Sequence, residues 1–316
     1  MNELKKLDLP QLTLEEQLMD REMAYALGHE TLKISEQGWY INTKGHKVDI
    51  QALRDAATHG RVTYCPDQTP TVGTAKYTHV HTYMQKQTTL TVAALRIAQG
   101  HSVAILNFAS AITPGGGWLA GARVQEESLA RSSTLVHALR NDDMYANKTH
   151  RTNPFYDDTV IVTPKVPFFR HQNGQILDTP WLADVITCAA VNAKKVHEEK
   201  PDRAAEIEPA MRRRIHKVFQ VATTLDADIL ILGAWGCGAF KNEGTEIARA
   251  MHDTLQLVDM RRFKAIDFAI PSARGSTKNF DAFAPWFATK RLAGSGLAGG
   301  DRTFAVTCPS ALPCTY

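Results

Sequence analysis

The chain has 316 residues, 44% hydrophobic and 22% charged, with a formal net charge of only +3. That is enough apolar material for one large α/β domain or two small ones, and the charge is too mild to announce a nucleic-acid-binding surface, though it would not repel a phosphate-rich ligand. No run approaches the roughly 18 apolar residues of a membrane span, and the opening MNELKKLDLPQLTLEEQ lacks the apolar core of a signal peptide, so a soluble, cytoplasmic protein is expected. Its five cysteines, Cys65, Cys188, Cys237, Cys308 and Cys314, are scattered and form no C-x-x-C pair. Neither a disulfide framework nor a structural zinc site is expected.

In chain order, TLEEQLMDREMAYALGHETLKI predicts a helix from Thr13 to about Ile34, with Thr13 and Glu16 as a capping box. Further helices are expected over Asp49–Thr58 and Gln87–Gln99, the latter stopped by Gly100. The first sixty or so residues thus read as a helical lead-in. Short apolar runs rich in β-branched residues follow: Ser102–Ser110, Thr159–Phe169, Asp184–Ala190, Asp228–Gly236 and Ala265–Pro271. They read as buried strands. Between them lie helical patterns over Gln125–Leu139, Ala204–Thr224 and Thr245–Val258, so a three-layer α/β/α fold is expected. The organisation expected is an N-terminal helical extension over 1–75, a catalytic unit over 76–290, and a Gly-rich, poorly ordered tail over 291–316.

The tail carries G-S-G-L-A-G, Gly294 to Gly299, a formal match to a dinucleotide fingerprint that follows no strand and opens no helix. It reads as tail. Two other glycine clusters stand where ligands bind in α/β sheets, past the carboxyl ends of strands. The first, Pro114-Gly115-Gly116-Gly117, follows the strand ending near Asn107 and precedes a helix carrying Gln125, Glu126 and Glu127. One glycine would satisfy a tight turn; three in a row point to a backbone that a ligand approaches closely.

Glu126 and Glu127 could simply complement a helix dipole. A glycosidase pair should flank its bond at roughly 5 to 9 Å, whereas helix neighbours point about 100° apart, so separate jobs are expected for the two. The second cluster, DILILGAWGCGAFKNEG, puts Gly233, Gly236 and Gly238 after a buried strand, with Asn242 read as the cap of the next helix. This is an anion cradle or an ordinary turn. Plain readings suffice for the remaining features. His79 and His81 lack a third metal ligand, Arg212-Arg213-Arg214 and Arg261-Arg262 fit solvated helix faces or ends, and Cys237 has no visible base to make it a nucleophile.

GGG, seven residues, then QEE resembles the signature of the poly(ADP-ribose) glycohydrolases, and GAWGCGAFKN resembles their second loop. Together with LNFASAITPGGGWLAGARVQEESLARSSTL and NPFYDDTVIVTPKVPFFR, the pattern from about Glu15 to Phe287 is similar to the compact bacterial and fungal type of that family. The resemblance implies a macrodomain with a mixed central sheet and an N-terminal helical extension. The implied reaction is metal- and cofactor-free hydrolysis of ribose–ribose bonds in poly(ADP-ribose), mainly from the chain end, with ADP-ribose as product.

On the same ground Glu127 would be the acid and base and Glu126 would hold a ribose hydroxyl. Gly115, Gly116 and Gly117 would admit the scissile ribose, Gln125 would join the site, and Asn107 would contact the distal ribose. Gly236, Cys237 and Gly238 would hold the diphosphate, Ala239 would belong to the same substrate-binding loop, and Phe240 would orient the ribose. Arg123, just before QEE, is substrate-facing or a surface residue. A monomer acting on the polymer or on ADP-ribosylated macromolecules is expected. The alternatives are a hydrolase of mono-ADP-ribosylated acceptors and a non-catalytic ADP-ribose-binding macrodomain.

Overall fold

The computed structural model describes residues 19–272, 275–288 and 290–292. The elements are α1 (Arg21–Gln37), β1 (Trp39–Ile41), β2 (Lys47–Asp49), α2 (Gln51–His59), β3 (Val62–Tyr64), β4 (Val80–Gln85), α3 (Thr89–Ala98), β5 (Val103–Phe108), α4 (Gln125–Ser132), α5 (Leu135–Leu139) and α6 (Asp143–Ala146), followed by β6 (Val160–Arg170), β7 (Ile176–Cys188), α7 (Ala193–Glu199), α8 (Ile207–Thr223), β8 (Ile229–Leu232), α9 (Gly244–Leu255), β9 (Ala265–Ala269), α10 (Lys278–Phe287) and β10 (Lys290–Leu292).

Among the described residues, eight strands form the main sheet in the order β10-β4-β9-β8-β5-β7-β6-β3. The five in the middle, β4, β9, β8, β5 and β7, run parallel, while β10, β6 and β3 pair antiparallel. Alternation along each strand fills a layer on each face. Ala104, Leu106, Leu230 and Leu232 pack with Met211, Val218, Ile247 and Phe283 of α8, α9 and α10. Val103, Ile105, Ile229 and Ile231 pack with Leu90, Leu129 and Leu139 of α3, α4 and α5. Each fully buried Leu or Ile contributes roughly 1.5–3 kcal/mol, which is why the central strands are mostly apolar; the buried Asp267 of β9 is an exception and is paired with Arg96 at 2.6 Å. The expected three-layer α/β/α arrangement with a mixed sheet is present.

Several sequence readings need correction. The described helix α1 begins at Arg21, and its cap is Asp20, which accepts from the Met23 N–H at 2.7 Å; the Thr13 capping box lies outside the described residues. The stretch read as a helical lead-in also holds the hairpin β1–β2 and the strand β3, an edge of the main sheet. Arg291 and Leu292, assigned to the tail, belong to β10, and Gly294 to Gly299 lie outside the described residues.

The helix expected over Gln125–Leu139 is two helices. Ser133 is extended (φ −150°, ψ 177°) and bridges Phe168 of β6, while its hydroxyl donates to Leu129 O at 2.7 Å. Three hydroxyl residues in a row, Ser132 to Thr134, favour such local side-chain bonds over helix continuation. Arg214, read as solvated, is 1% exposed.

Candidate active site

A cavity of about 390 Å³ opens at the carboxyl ends of the parallel strands, and each of the five contributes wall. Thr88 to Leu90 follow β4, Ala269 to Ser272 end β9, Ala234 to Gly236 and Gly238 to Phe240 follow β8, Phe108 to Ser110 end β5, and Ala190 follows β7. Gly116, Gln125, Glu126, Glu127, Gly236, Gly238, Ala239 and Phe240 all line it. Asn107, Gly115, Gly117 and Cys237 do not.

The first loop is built around the two acids. Glu126 is 4% exposed and accepts from the Ser110 N–H at 2.8 Å and from Asn107 Nδ2 at 3.5 Å. Glu127 is 6% exposed; its Oε1 accepts from the Gly117 N–H at 3.0 Å, and its Oε2 is buried without a hydrogen bond. Although helix neighbours diverge at Cα, these two side chains converge. A Cβ on Gly116 would fall within 3.0 Å of Glu126 Oε2 and closer still to Glu127 Oε1. Gly116 also has φ +58°, so glycine is required there on two counts.

Gln125 lies beside them, but its amide is committed to the end of β5. Its Oε1 accepts from the Phe108 N–H at 2.9 Å, and its Nε2 donates to Leu106 O at 2.8 Å. Asn107, expected at the distal ribose, is fully buried, where it donates to Thr187 Oγ1 at 3.4 Å and to Glu126.

The second loop presents backbone. The amides of Gly236, Gly238, Ala239 and Phe240 make no hydrogen bond among the described residues, whereas those of Trp235, Cys237, Lys241 and Asn242 do. Unpaired amides at a cavity wall suit an anion. Gly236 (φ +77°) cannot carry a side chain, since a Cβ would meet Asn242 Nδ2 at 2.6 Å. Asn242 is not the cap of α9, which is Glu243; it ties the loop by donating to Val191 O at 2.8 Å and Gly236 O at 3.1 Å. Burial pushes the Cys237 thiol up to about 12, which removes it as a nucleophile.

The family model for the microbial-type PARG catalytic domain matches residues 28–171. The solved poly(ADP-ribose) glycohydrolase of Thermomonospora curvata is 33% identical, with a TM-score of 0.74, over 84% of this chain and 100% of that one. The chain belongs to the microbial-type poly(ADP-ribose) glycohydrolases. The same Thermomonospora enzyme with the inhibitor ADP-HPD bound matches at 33% identity and TM-score 0.73, over 84% of this chain and 99% of that one. The Deinococcus radiodurans enzyme in complex with ADP-ribose matches at 31% and 0.68, over 75% of this chain and 98% of that one. No curated protein matches the chain.

Arg131 is the main site residue that the sequence reading missed. It lines the cavity one helical turn after Glu127, is 3% exposed, and donates to Ala122 O. Burial lowers its guanidinium to about 10, and Glu127 opposes that shift. The i, i+4 spacing from Glu127 was its available signal. Arg123 also lines the cavity; its guanidinium donates to Met19 O at 2.8 Å.

Burial holds the Glu126 carboxyl well above the usual carboxylate range; the Ser110 N–H opposes this and the adjacent Glu127 adds to it. The folded state then holds that proton more tightly than the unfolded chain. Stability is therefore lost as pH rises from the ordinary Glu value towards the raised one, and it stays lost above it. Glu126→Gln is accordingly expected to melt at or above the wild-type temperature at neutral pH, with the gap closing towards about pH 4. Asn107 Oδ1, buried without a hydrogen bond, can accept from the new amide. Thermal melts across that range check this, and a variant that melts lower at neutral pH alone would contradict it.

Proposed function

We propose that the chain cleaves the ribose–ribose O-glycosidic bond of poly(ADP-ribose), mainly at the chain end, and releases ADP-ribose. The Glu127 carboxyl carries the reading: its Oε1 lies against the bare Gly116 backbone, its Oε2 has no hydrogen-bond partner, and it lines a cavity that is also lined by residues with free backbone amides. Binding alone needs no such acid. Glu127 protonates the departing ribose oxygen and then takes a proton from the attacking water at an oxocarbenium-like centre. Glu126, anchored by Ser110, holds a ribose hydroxyl. The amides of Gly236, Gly238, Ala239 and Phe240 receive the diphosphate, and the Phe240 ring fixes the ribose.

Incubation with labelled polymer tests the reading, with ADP-ribose expected as the product. Action confined to mono-ADP-ribosylated acceptors, or tight ADP-ribose binding with no turnover, would overturn it. Gly116→Ala should lower kcat about 100-fold, because a Cβ displaces both carboxylates, while the strain of φ +58° costs only about 1–2 kcal/mol. Kinetics beside a thermal melt separate the two effects, and near wild-type kcat would remove Gly116 from the mechanism.

A further inference from the structure

Beside the two loops, outside the cavity lining, sits a buried histidine that the proposed chemistry does not use. His150 is 2% exposed and stands in a short 3₁₀ turn, Lys148–Arg151. Its Nδ1 lies 3.0 Å from Met144 O and 3.2 Å from Ala111 O, and its Nε2 lies 3.0 Å from Asp157 Oδ2. All three of these oxygens are acceptors, a surround that favours protons on both ring nitrogens, as in the imidazolium. Asn147 Nδ2, 3.3 Å from Nε2 and 3.4 Å from Asp157 Oδ2, completes the polar surround. Among the described residues, Asp157 is the charged group set against the ring.

The ring meets the first loop directly and the second through Tyr156. Ala111 immediately follows Ser110, whose N–H anchors Glu126 and whose hydroxyl accepts from the Ile112 and Thr113 amides at 3.1 Å, so its carbonyl is the rear attachment of the glycine loop. On its other side His150 meets the Tyr156 ring edge-on, with centroids 5.8 Å apart, and Tyr156 in turn packs on Phe240 of the second loop at 6.0 Å. Tyr156 holds φ +56°, a conformation costing a non-glycine residue about 1–2 kcal/mol, so its ring is kept between the loops against a local penalty.

We propose that His150 is a positioning residue that fixes the spacing of the two ligand-binding loops, through Ala111 on one side and Tyr156 and Phe240 on the other, with Asp157 as its anchor. This rests on the reading that the two loops hold ADP-ribose. Hydrogen bonding to Asp157 and to the two carbonyls outweighs burial and raises the imidazole above its ordinary value, while Asp157 is held down to about 2. The histidine's contribution is therefore complete below the ordinary His value and lost as pH rises through the raised one. Loop spacing should loosen with it.

The experiment is ADP-ribose affinity by calorimetry on the full chain from about pH 6 to about pH 9, beside ADP-ribose release from polymer and thermal melting. Wild-type affinity should fall on the alkaline side. His150→Gln, which keeps a donor but does not titrate, should bind about tenfold more weakly at neutral pH, with that alkaline fall abolished. Asp157→Asn should move the fall to lower pH and serves if His150→Gln does not fold. Tyr156→Phe, which retains the ring, should bind as wild type does, and Tyr156→Leu should not.

Wild-type affinity and a wild-type alkaline fall in both His150→Gln and Asp157→Asn would overturn the proposal. So would equal melting losses in both variants with no change in the pH profile, since that marks a merely structural role. A wild-type protein that binds ADP-ribose but releases none from polymer would sink the functional reading alone.

Discussion

Glu127→Gln is expected to lower kcat for polymer hydrolysis by about 1,000-fold, or about 4 kcal/mol of transition-state stabilisation, while ADP-ribose affinity stays within a few-fold. The amide has the same volume and its oxygen still accepts the Gly117 N–H that Glu127 Oε1 accepts at 3.0 Å, so the loop keeps its shape. Only the proton is lost. Glu126 cannot substitute, because its carboxyl is taken up by the Ser110 amide and Asn107. Steady-state release from labelled polymer, paired with calorimetry on ADP-ribose, checks both halves. Retained turnover would move the acid elsewhere, and lost binding would turn Glu127 into a scaffold residue.

The parts of this site legible in the sequence were those with a local signature. Three consecutive glycines and the QEE triplet are visible because bare backbone and paired acids are rare together, and β5, β8 and β9 are visible because strands buried on both faces are mostly apolar, with Asn107 and Asp267 as the buried polar exceptions. What escaped depends on partners far along the chain. Edge strand β3 is three residues long and carries no alternation to find; its pairing with Val160 to Val162 makes it a strand. Asn242 looked like a helix cap because it precedes α9, yet its amide reaches back 51 residues to Val191 O. Helix geometry correctly separated Glu126 from Glu127 at Cα, but two flexible side chains meet again where Gly116 leaves room. Ile270, Pro271 and Ser272 line the cavity only because β9 lies parallel beside β8, a topological fact with no local trace.

Arg214→Ala is expected to cost about 3 kcal/mol of stability, the low end of what removing one member of a buried ion pair costs. Basic triplets on helices usually face water, yet the last of this one is 1% exposed and projects from α8 into the region behind the site. Its guanidinium pairs with Asp158 at 3.0 Å and donates to Ala189 O at 2.8 Å and Phe155 O at 2.9 Å. Truncation leaves two carbonyls without donors in a space too apolar to replace them. Asp158 retains Arg213 at 3.5 Å and some solvent, which keeps the cost at the low end.

For a domain of this size that loss corresponds to roughly 6–12 °C in Tm. Arg214→Lys should lie between, since it keeps the charge and loses the fork. Phe155 O and Asp158 bracket Tyr156 and Asp157, so the same variant should weaken ADP-ribose binding even well below its melting point. Thermal melts and calorimetry on one preparation test both claims. A Tm within about 2 °C of wild type would show that the guanidinium's three bonds do not outweigh its desolvation.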